Sequence, residues 1–191
     1  MTDGAASPVP HRKVPFTAAV LIPPEGLWGP IQRIRRAHDP RVDRWMPHVT
    51  LLYPFVPAAA LAQAAAELSG PCAAALPFHV RLAEFAWFAH GSAWATMWLH
   101  PDPPGPLVRL QSRLWECFPW CDDAGRFANG FTPHLSVGRW SVREVSGAAA
   151  QLQRSWEPLD WPVDRVCLIA RPPTGEGAFT VQHELALGRR S

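Results

Sequence analysis

The sequence predicts an α+β fold made of two pseudo-symmetric lobes, each an antiparallel sheet with helices on its outer face, which flank a central cleft. Three observations predict this fold: strand-like and helix-like segments alternate, a hexapeptide recurs, and other features recur at the same spacing. A chain of 191 residues suits one compact domain or two small joined lobes.

The first half of the chain begins with a strand and a helix. An apolar, partly β-branched run at 16–22 is typical of a strand, and two prolines end it. Leu27, Ile31 and Ile34 then recur at near-helical spacing and predict a helix over about 26–37. Its other faces are expected to carry the arginines Arg33, Arg35 and Arg36. There follow a strand at 47–53, an alanine-rich helix at about 57–68, and a hairpin of strands 78–88 and 93–100.

The second half has a similar order of elements. Leu107, Leu110 and Leu114 mark one face of a helix that begins near Pro104. A loop at 121–130 separates this helix from the next strand. The remaining elements are a strand at 134–139, a helix over 142–152, and two strands at 163–170 and 179–187 joined by a turn at 172–177.

One offset relates several features of the two halves. His48 and His134 are 86 residues apart (134 − 48). The same offset separates two predicted helix openings and two hairpin glycines, namely Pro57 from Arg143 and Gly91 from Gly177. A duplicated supersecondary unit is the simplest explanation, and accidental similarity of two hairpins is the alternative. We expect a single bilobal domain over 16–187, a flexible N-terminal segment at 1–15 and a C-terminal tail at 188–191.

The composition excludes several classes of protein. With 48% hydrophobic and 18% charged residues, the chain is not a disordered polymer. A net charge of +2 is too small for a bulk nucleic-acid coat or a membrane tether. We expect no signal peptide or membrane anchor. The four cysteines form no C-x-x-C pair, which favours buried free thiols and a cytoplasmic protein.

The recurring hexapeptide carries the candidate catalytic residues. Its copies read Met-Pro-His-Val-Thr-Leu at 46–51 and Thr-Pro-His-Leu-Ser-Val at 132–137. Because side chains alternate along a strand, each copy sends one imidazole and one hydroxyl to the same face: His48 with Thr50, and His134 with Ser136. Two such strands related by a pseudo-twofold axis would bring all four side chains together.

Two imidazoles and two hydroxyls suit phosphoester chemistry. One histidine can act as general base and the other as general acid near neutral pH, while hydroxyls donate to non-bridging oxygens. No metal and no cofactor are expected. A zinc site is the competing interpretation, but it needs three or four ligands. Asp39, Asp43 and Asp122 lie in adjacent loops without a metal-binding pattern. The other six histidines are expected to be surface or turn residues.

The two motif copies resemble those of the 2H phosphoesterases, a family that includes the 2′-5′ RNA ligase and RNA cyclic phosphodiesterase proteins. The signature of that family is a tandem H-x-[ST]-φ, where φ is hydrophobic, in two duplicated lobes. Here the copies are His-Val-Thr-Leu at 48–51 and His-Leu-Ser-Val at 134–137. The resemblance covers about residues 16–187 and is closest to the bacterial branch described as 2′-5′ RNA ligase family.

The resemblance implies opening of a 2′,3′-cyclic phosphate to a 2′-phosphate, with 2′-5′ ligation as the reverse reaction in some members. It also implies a phosphate-binding role for Arg139, the basic residue after the second motif. Strand alternation would point Arg139 away from His134, so this role requires a bulge or a strand end at Gly138.

Tyr53, Trp45 and Phe131 flank the motifs, where an aromatic ring could stack on a base. Arg44 and Arg126 lie in loops before the motifs and could guide a polyanion.

Three functions remain open. The first is a metal-independent phosphodiesterase acting on RNA ends or small nucleotides that carry a cyclic or 2′-5′ phosphate. The second is a module that binds phosphorylated RNA ends without converting them. The third is a phosphodiesterase for another small cyclic or bridging phosphate, which the modest net charge favours. A monomer with no membrane partner is expected, and residue spacing does not assign the acid and the base.

Overall fold

The computed structural model describes residues 9–121, 123 and 130–188. This part of the chain contains eight strands and four α-helices, and short 3₁₀ turns precede the first two helices. In chain order the elements are β1 (Thr17–Leu21), α1 (Trp28–His38), β2 (Val49–Leu52), α2 (Leu61–Ala73), β3 (Phe78–His90), β4 (Trp94–Asp102), α3 (Gly105–Cys117), β5 (Leu135–Ser141), α4 (Val145–Ser155), β6 (Leu159–Val163), β7 (Arg165–Ala170) and β8 (Thr180–Ala186).

The strands form one antiparallel sheet in the order β6-β3-β4-β5-β2-β1-β7-β8. Four strands lie on each side of the boundary between β5 and β2, so the sheet consists of two matching halves. The predicted α+β class is confirmed. The two predicted sheets are joined edge to edge, and each half of the continuous sheet takes strands from both halves of the chain: β3 and β4 lie on the side of β5, and β7 and β8 lie on the side of β2.

The boundary between the halves, which we call the seam, is narrow. β2 and β5 are paired at a single register position, Val49 opposite Leu135. Helices from both halves cross this seam. The helix α1, which precedes β2, packs against β5, and α3, which precedes β5, packs against β2. Each motif strand is therefore supported by the helix that belongs to the other half.

The main hydrophobic core lies between the sheet and the helices, with Leu21, Val49 and Leu135 from the strands and Leu68 and Leu107 from the helices fully buried. A second, smaller cluster covers the opposite face of β1 and β7. It consists of buried residues with four partly buried neighbours: Ala18, Val20, Cys167, Ile169 and Phe179, with Ile22, Trp45, Met46 and Tyr53. Since Val20 lies opposite Thr50, this second cluster shares its face with the Thr50 hydroxyl.

Several predicted boundaries were wrong. The helix α2 continues to Ala73, past its predicted end at Leu68, because Cys72 is buried against the core and Pro71 removes only one N–H from its last turns. The helix α4 begins at Val145, three residues after the predicted start at Val142.

The strand β6 was missed. It pairs with β3 at the edge of the sheet, the position in which a strand tolerates its Pro162. Its Trp161 and Val163 are buried. The strand predicted over 163–170 is therefore the end of β6 followed by the whole of β7.

Arg35 also differs from prediction. It was expected on a face of α1 away from the apolar residues, yet it is only 2% exposed. The reason is helical geometry: Arg35 follows Ile31 by four residues, so the two side chains lie on the same face of α1.

The described part of the predicted N-terminal segment lies against the domain. Val9 is buried, and Val14 exchanges two backbone hydrogen bonds with Phe55, of 2.6 and 3.3 Å. Lys13 forms a 3.0 Å ion pair with Asp123. Residues 1–8 and 189–191 lie outside the described residues.

The cysteines and the helices bear on two further expectations. Each of the four cysteines, all within the described residues, is a reduced thiol; Cys72, Cys121 and Cys167 are buried as predicted, whereas Cys117 is half-buried. Among the helices of the described ranges, none has the length and apolarity required to cross a membrane.

The end of α1 rests directly on Gly138 of β5. A Cβ atom at this position would lie 2.6 Å from the Cβ of His38 and 2.9 Å from its carbonyl oxygen, and the φ angle of Gly138 is +154°. Only glycine leaves room for this close approach of the helix to the strand.

We predict that Gly138→Ala destabilises the protein by about 1–3 kcal/mol, because the added methyl group pushes α1 away from β5. The free energy of unfolding in urea measures this effect. Gly147→Ala is the matched control, since a Cβ there meets nothing within 4 Å and alanine is favoured in a helix by about 1 kcal/mol. Equal stability of the Gly138→Ala variant and the wild type would contradict the contact.

Candidate active site

The two motif histidines are held in the same way. Each residue immediately precedes its strand, and its Nδ1 lies within hydrogen-bond distance of the carbonyl oxygen two residues earlier. These distances are 2.7 Å from His48 to Met46 and 2.8 Å from His134 to Thr132. A carbonyl oxygen can only accept, so each Nδ1 carries the hydrogen. Nε2 is then the nitrogen that each ring offers to a substrate.

The seam brings the motif residues together. Because Val49 lies opposite Leu135 in an antiparallel pair, the same register places their neighbours opposite each other: Thr50 faces His134, and His48 faces Ser136. Facing residues of antiparallel strands have Cβ atoms about 4.5–5.5 Å apart. Val49 and Leu135 are fully buried, whereas both histidines and both hydroxyl residues are half-buried.

A cavity of about 990 Å³ opens beside the motif residues. Its wall includes three of the four predicted catalytic residues, Thr50, His134 and Ser136, but not His48. Two predicted substrate-binding residues, Tyr53 and Phe131, also line it. The other lining residues come from β2, from the β3–β4 hairpin and from loops: Leu51, Pro54, Trp87, Phe88, Ala89, His90, Thr96, Cys121, Asp123, Gly130 and Thr132.

Aromatic rings support both imidazoles. Trp45 stacks on His48 with ring centroids 4.7 Å apart, and it stacks on Phe179 of the second core cluster at 3.8 Å. Phe88 meets His134 edge-on at 5.1 Å. Trp45, predicted to bind substrate, thus packs against a motif histidine and does not line the cavity.

The surroundings of the two rings disfavour their charged forms. Burial, with additional contributions from the charges of Arg35 and His134, lowers the pKa of His48 to about 4, although the Met46 carbonyl and Asp39 act in the opposite direction. Burial also lowers the pKa of His134 below its ordinary value, opposed by the Thr132 carbonyl. Both rings are therefore neutral at pH 7 before substrate binds and have Nε2 available as a proton acceptor.

Two β-bulges occupy matching positions in the motif strands. In β2, Thr50 pairs with Val20 and Leu52 with Ala19, so Leu51 is an extra residue. In β5, Ser136 pairs with Trp98 and Gly138 with Met97, so Val137 is extra. Leu51 and Val137 are again 86 residues apart (137 − 51). Each bulge follows the motif hydroxyl by one residue.

The bulges change which side chains lie on the same face of the sheet as the motif hydroxyls. An extra residue shifts the alternation of the strand by one position, so the residues two positions after each bulge, Tyr53 and Arg139, return to the face of Thr50 and Ser136. Arg139 lies opposite Thr96; Thr96 lines the cavity, whereas Arg139 is exposed beside it and is not part of its wall. The predicted phosphate-binding role of Arg139 required a bulge or a strand end near Gly138, and β5 contains such a bulge.

Arg139 belongs to a small column of stacked groups. Its guanidinium carbon lies 4.0 Å from the centroid of Trp94, and Trp94 stacks on His90 at 3.9 Å. His90 in turn lies 3.1 Å from the hydroxyl of Thr96. His90 and Thr96 were missed as cavity residues, because only the register of β3, β4 and β5 brings them beside the motifs.

The remaining sequence candidates lie elsewhere. Arg44 is half-buried, and its carbonyl accepts the N–H of Phe179 at 2.9 Å. Arg126 and Asp122 lie outside the described residues. Asp39 forms an ion pair with Arg35. Within the described ranges, no three His, Cys, Asp or Glu side chains gather as a metal-ligand set.

Residues 23–174 match the family model of the 2′-5′ RNA ligase superfamily. The chain belongs to this superfamily. The family resemblance carried by the tandem motif is thereby confirmed. No curated protein matches the chain by sequence.

Several solved structures resemble the present chain in fold along nearly its whole length. E. coli LigT in its apo form aligns with a TM-score of 0.62 and 19% identity over 93% of this chain and 99% of LigT. TT0787 of Thermus thermophilus aligns with a TM-score of 0.61 and 18% identity over 92% of this chain and 100% of TT0787. E. coli LigT complexed with 3′-AMP aligns with a TM-score of 0.60 and 18% identity over 90% and 97% of the two chains. At these identities, the similarity shows a shared fold.

The low pKa of His48 predicts how stability depends on pH. The folded state holds this ring at a pKa of about 4, against an ordinary value of 6.5. The unfolded chain therefore binds more protons between these values, so stability is lost as the pH falls from 6.5 towards 4. The slope from one group is at most about 1.4 kcal/mol per pH unit.

Urea unfolding at several pH values measures this slope. We expect a shallower loss for His48→Gln than for the wild type, and the slope, not the absolute stability, is the readout. His79→Gln, a replacement of an exposed ring, controls for the substitution. Parallel slopes in wild type and His48→Gln would exclude a low pKa for His48.

Proposed function

We propose that this superfamily member is a metal-independent phosphodiesterase that opens 2′,3′-cyclic phosphate ends of RNA or nucleotides to 2′-phosphates. His48 and His134 serve as its general acid and base, and 2′-5′ ligation is the same displacement of O3′ with the 5′-hydroxyl of another RNA end attacking in place of water. The observation that carries the proposal is that the two imidazoles are held by the same contacts in the two motifs. Each has its Nδ1 at a carbonyl 2.7 or 2.8 Å away and faces the hydroxyl residue of the other motif across the seam.

The proposed reaction is an in-line displacement at phosphorus. A water molecule attacks the phosphorus atom and transfers a proton to Nε2 of one neutral histidine, while the other histidine, protonated, donates to O3′ as the P–O3′ bond breaks. The products are a 2′-phosphate and a free 3′-hydroxyl. The negative charge of a bound phosphodiester favours protonation of a nearby imidazole, which supplies the acid that the site disfavours before substrate binds.

The other polar groups of the site face the phosphate oxygens in this proposal. The hydroxyls of Thr50 and Ser136 donate to non-bridging oxygens, where negative charge is present throughout the reaction. Arg139, placed on the same face by the bulge in β5, attracts the phosphate or its neighbour along an RNA chain. Its stacking on Trp94 limits the conformations of the guanidinium before substrate arrives.

The substrate class is inferred from the cavity and from related structures. LigT structures have been determined in complexes with ATP, phosphate and 3′-AMP, and we extend nucleotide binding to the present chain. The aromatic rings of Tyr53 and Phe131 line the cavity and are available for stacking on bases, a contact worth about 1–3 kcal/mol per base. We place this activity in the cytoplasm, where thiols stay reduced.

We predict that His48→Ala and His134→Ala each lower turnover of a 2′,3′-cyclic nucleotide by about two to four orders of magnitude. Loss of either proton-transfer group disables the coupled mechanism. Turnover is measured with a panel of 2′,3′-cyclic nucleotides, short RNAs with cyclic ends and 2′-5′ dinucleotides, with identification of the products. His79→Ala, which changes an exposed ring, is the control, and circular dichroism checks that each variant is folded.

The same panel separates the three candidate functions. A bell-shaped pH profile that a chelator leaves unchanged supports the two-histidine reaction. Tight binding with recovery of unchanged ligand identifies a binding module instead. Turnover confined to a different small cyclic phosphate indicates that RNA is not the substrate. A strict requirement for added metal rejects the metal-independent mechanism.

We predict that Arg139→Met raises KM for a cyclic-ended RNA by about tenfold to a hundredfold, since a charge-assisted hydrogen bond to phosphate contributes about 1.5–3 kcal/mol. Methionine retains part of the packing on Trp94 but removes the charge. Arg143→Met, four residues later and exposed, is the matched control. Equal KM values for the two variants would remove Arg139 from the binding site.

A further inference from the structure

Arg35 is a permanent cation with 2% of its surface exposed. A buried guanidinium is strongly unfavourable unless hydrogen-bond acceptors surround it. Arg35 lies in the last turns of α1, behind the segment that leads into the first motif. It does not line the cavity, so contact with substrate does not explain its burial.

Three groups accept hydrogen bonds from this guanidinium. Nε and Nη2 donate to the same carboxylate oxygen of Asp39, at 3.0 and 2.8 Å. Nη1 donates to the side-chain oxygen of Gln32 at 3.0 Å, and Nη2 also donates to the backbone carbonyl of Trp45 at 2.8 Å. The planar fork of arginine meets these acceptors in different directions, which a single ammonium group does not reproduce.

The contact with Trp45 leads directly to His48. Arg35 holds the carbonyl of Trp45, and His48 holds the next carbonyl, that of Met46, through Nδ1. The indole of Trp45 stacks on the His48 ring. The guanidinium and the imidazole are thus linked through one short backbone segment and one aromatic ring.

We propose that Arg35 is a positioning residue for His48: by fixing the Trp45–Met46 segment, it sets the orientation of the imidazole that acts on the phosphate. This inference rests on the proposed function and assigns to it a residue outside the cavity. The role is specific to one half of the site, because α3, the helix that precedes the second motif strand, buries no cation: its buried residues are Leu107, Leu110, Gln111 and Leu114.

The charge of Arg35 has a second effect on the same ring. The charged and titratable groups that act on His48 are Arg35 from α1, Asp39 from the loop after it, and His134 from the other motif. Arg35 and His134 lower the pKa of His48, whereas Asp39 raises it. Arg35 therefore orients His48 and helps to keep it neutral until an anionic substrate arrives.

Two substitutions separate orientation from charge. Arg35→Lys keeps the positive charge, but its ammonium group cannot reproduce the geometry with which the guanidinium donates to both Asp39 and the Trp45 carbonyl. Arg35→Met removes both the charge and the hydrogen bonds while filling similar space. Arg36→Met is the matched control, since Arg36 is the next residue of α1 and is exposed. Each variant is tested for thermal unfolding, for kcat and KM on a 2′,3′-cyclic nucleotide, and for histidine ring titration by NMR.

We expect kcat to fall by about tenfold to a hundredfold in both Arg35 variants, as small misplacements of reacting groups cause, with a smaller change in KM. The titration of His48 should move to higher pH in Arg35→Met and remain near the wild-type value in Arg35→Lys. Arg36→Met should match the wild type in every measurement. A role confined to folding would lower the unfolding temperature but would not separate the two Arg35 variants in this way.

Several outcomes would overturn the proposal. Wild-type kcat in Arg35→Lys does so, even if Arg35→Met fails to fold. An unmoved His48 titration in folded Arg35→Met also does so. If the wild type turns over no cyclic phosphate, the proposed function fails, whereas the ring titration needs no substrate and still decides whether Arg35 acts on His48.

Discussion

The single backbone pairing of Val49 with Leu135 determines the geometry of the candidate site. It places each motif histidine opposite the hydroxyl residue of the other motif. A slip of one residue would turn imidazoles towards the core and aliphatic side chains towards the cavity. So short a pairing contributes little to this register by itself. The crossing of α1 onto β5 and of α3 onto β2, together with burial of Val49 and Leu135, must therefore hold the halves in place.

The matching bulges determine which further side chains of the motif strands lie beside the motif hydroxyls. In an unbroken strand, Thr50 and Tyr53 would face opposite sides, as would Ser136 and Arg139. The extra residue in each strand allows one short segment to place both a hydroxyl and a longer side chain on the same face of the sheet. The two additions differ in chemistry: the first half presents a phenol ring, and the second half presents a cation. A symmetric backbone thereby supports an asymmetric site.

Much of this arrangement could be predicted from the sequence, because the repeat offset, the two hexapeptides and strand alternation are local properties. Features that depend on tertiary contacts could not. Leu51 gives no local sign of a bulge, although Gly138 gave one in the second strand. β6 contains a proline that argues against a strand unless its edge position is known. Arg35 reads as a surface residue until Asp39 and the Trp45 carbonyl surround it, and His90 becomes a cavity residue only through the pairing of β3 with β4.

The exchange of helices across the seam has an evolutionary consequence. Neither half covers its own motif strand, because α1 lies on β5 and α3 lies on β2. A half-length ancestor would have exposed an apolar strand unless a second copy supplied the missing helix. Such an ancestor fits a domain-swapped homodimer, in which one gene product provided both imidazoles from two chains. In the present chain the two halves are covalently joined, and their motif strands differ at corresponding positions, with Tyr53 in the first half and Arg139 in the second.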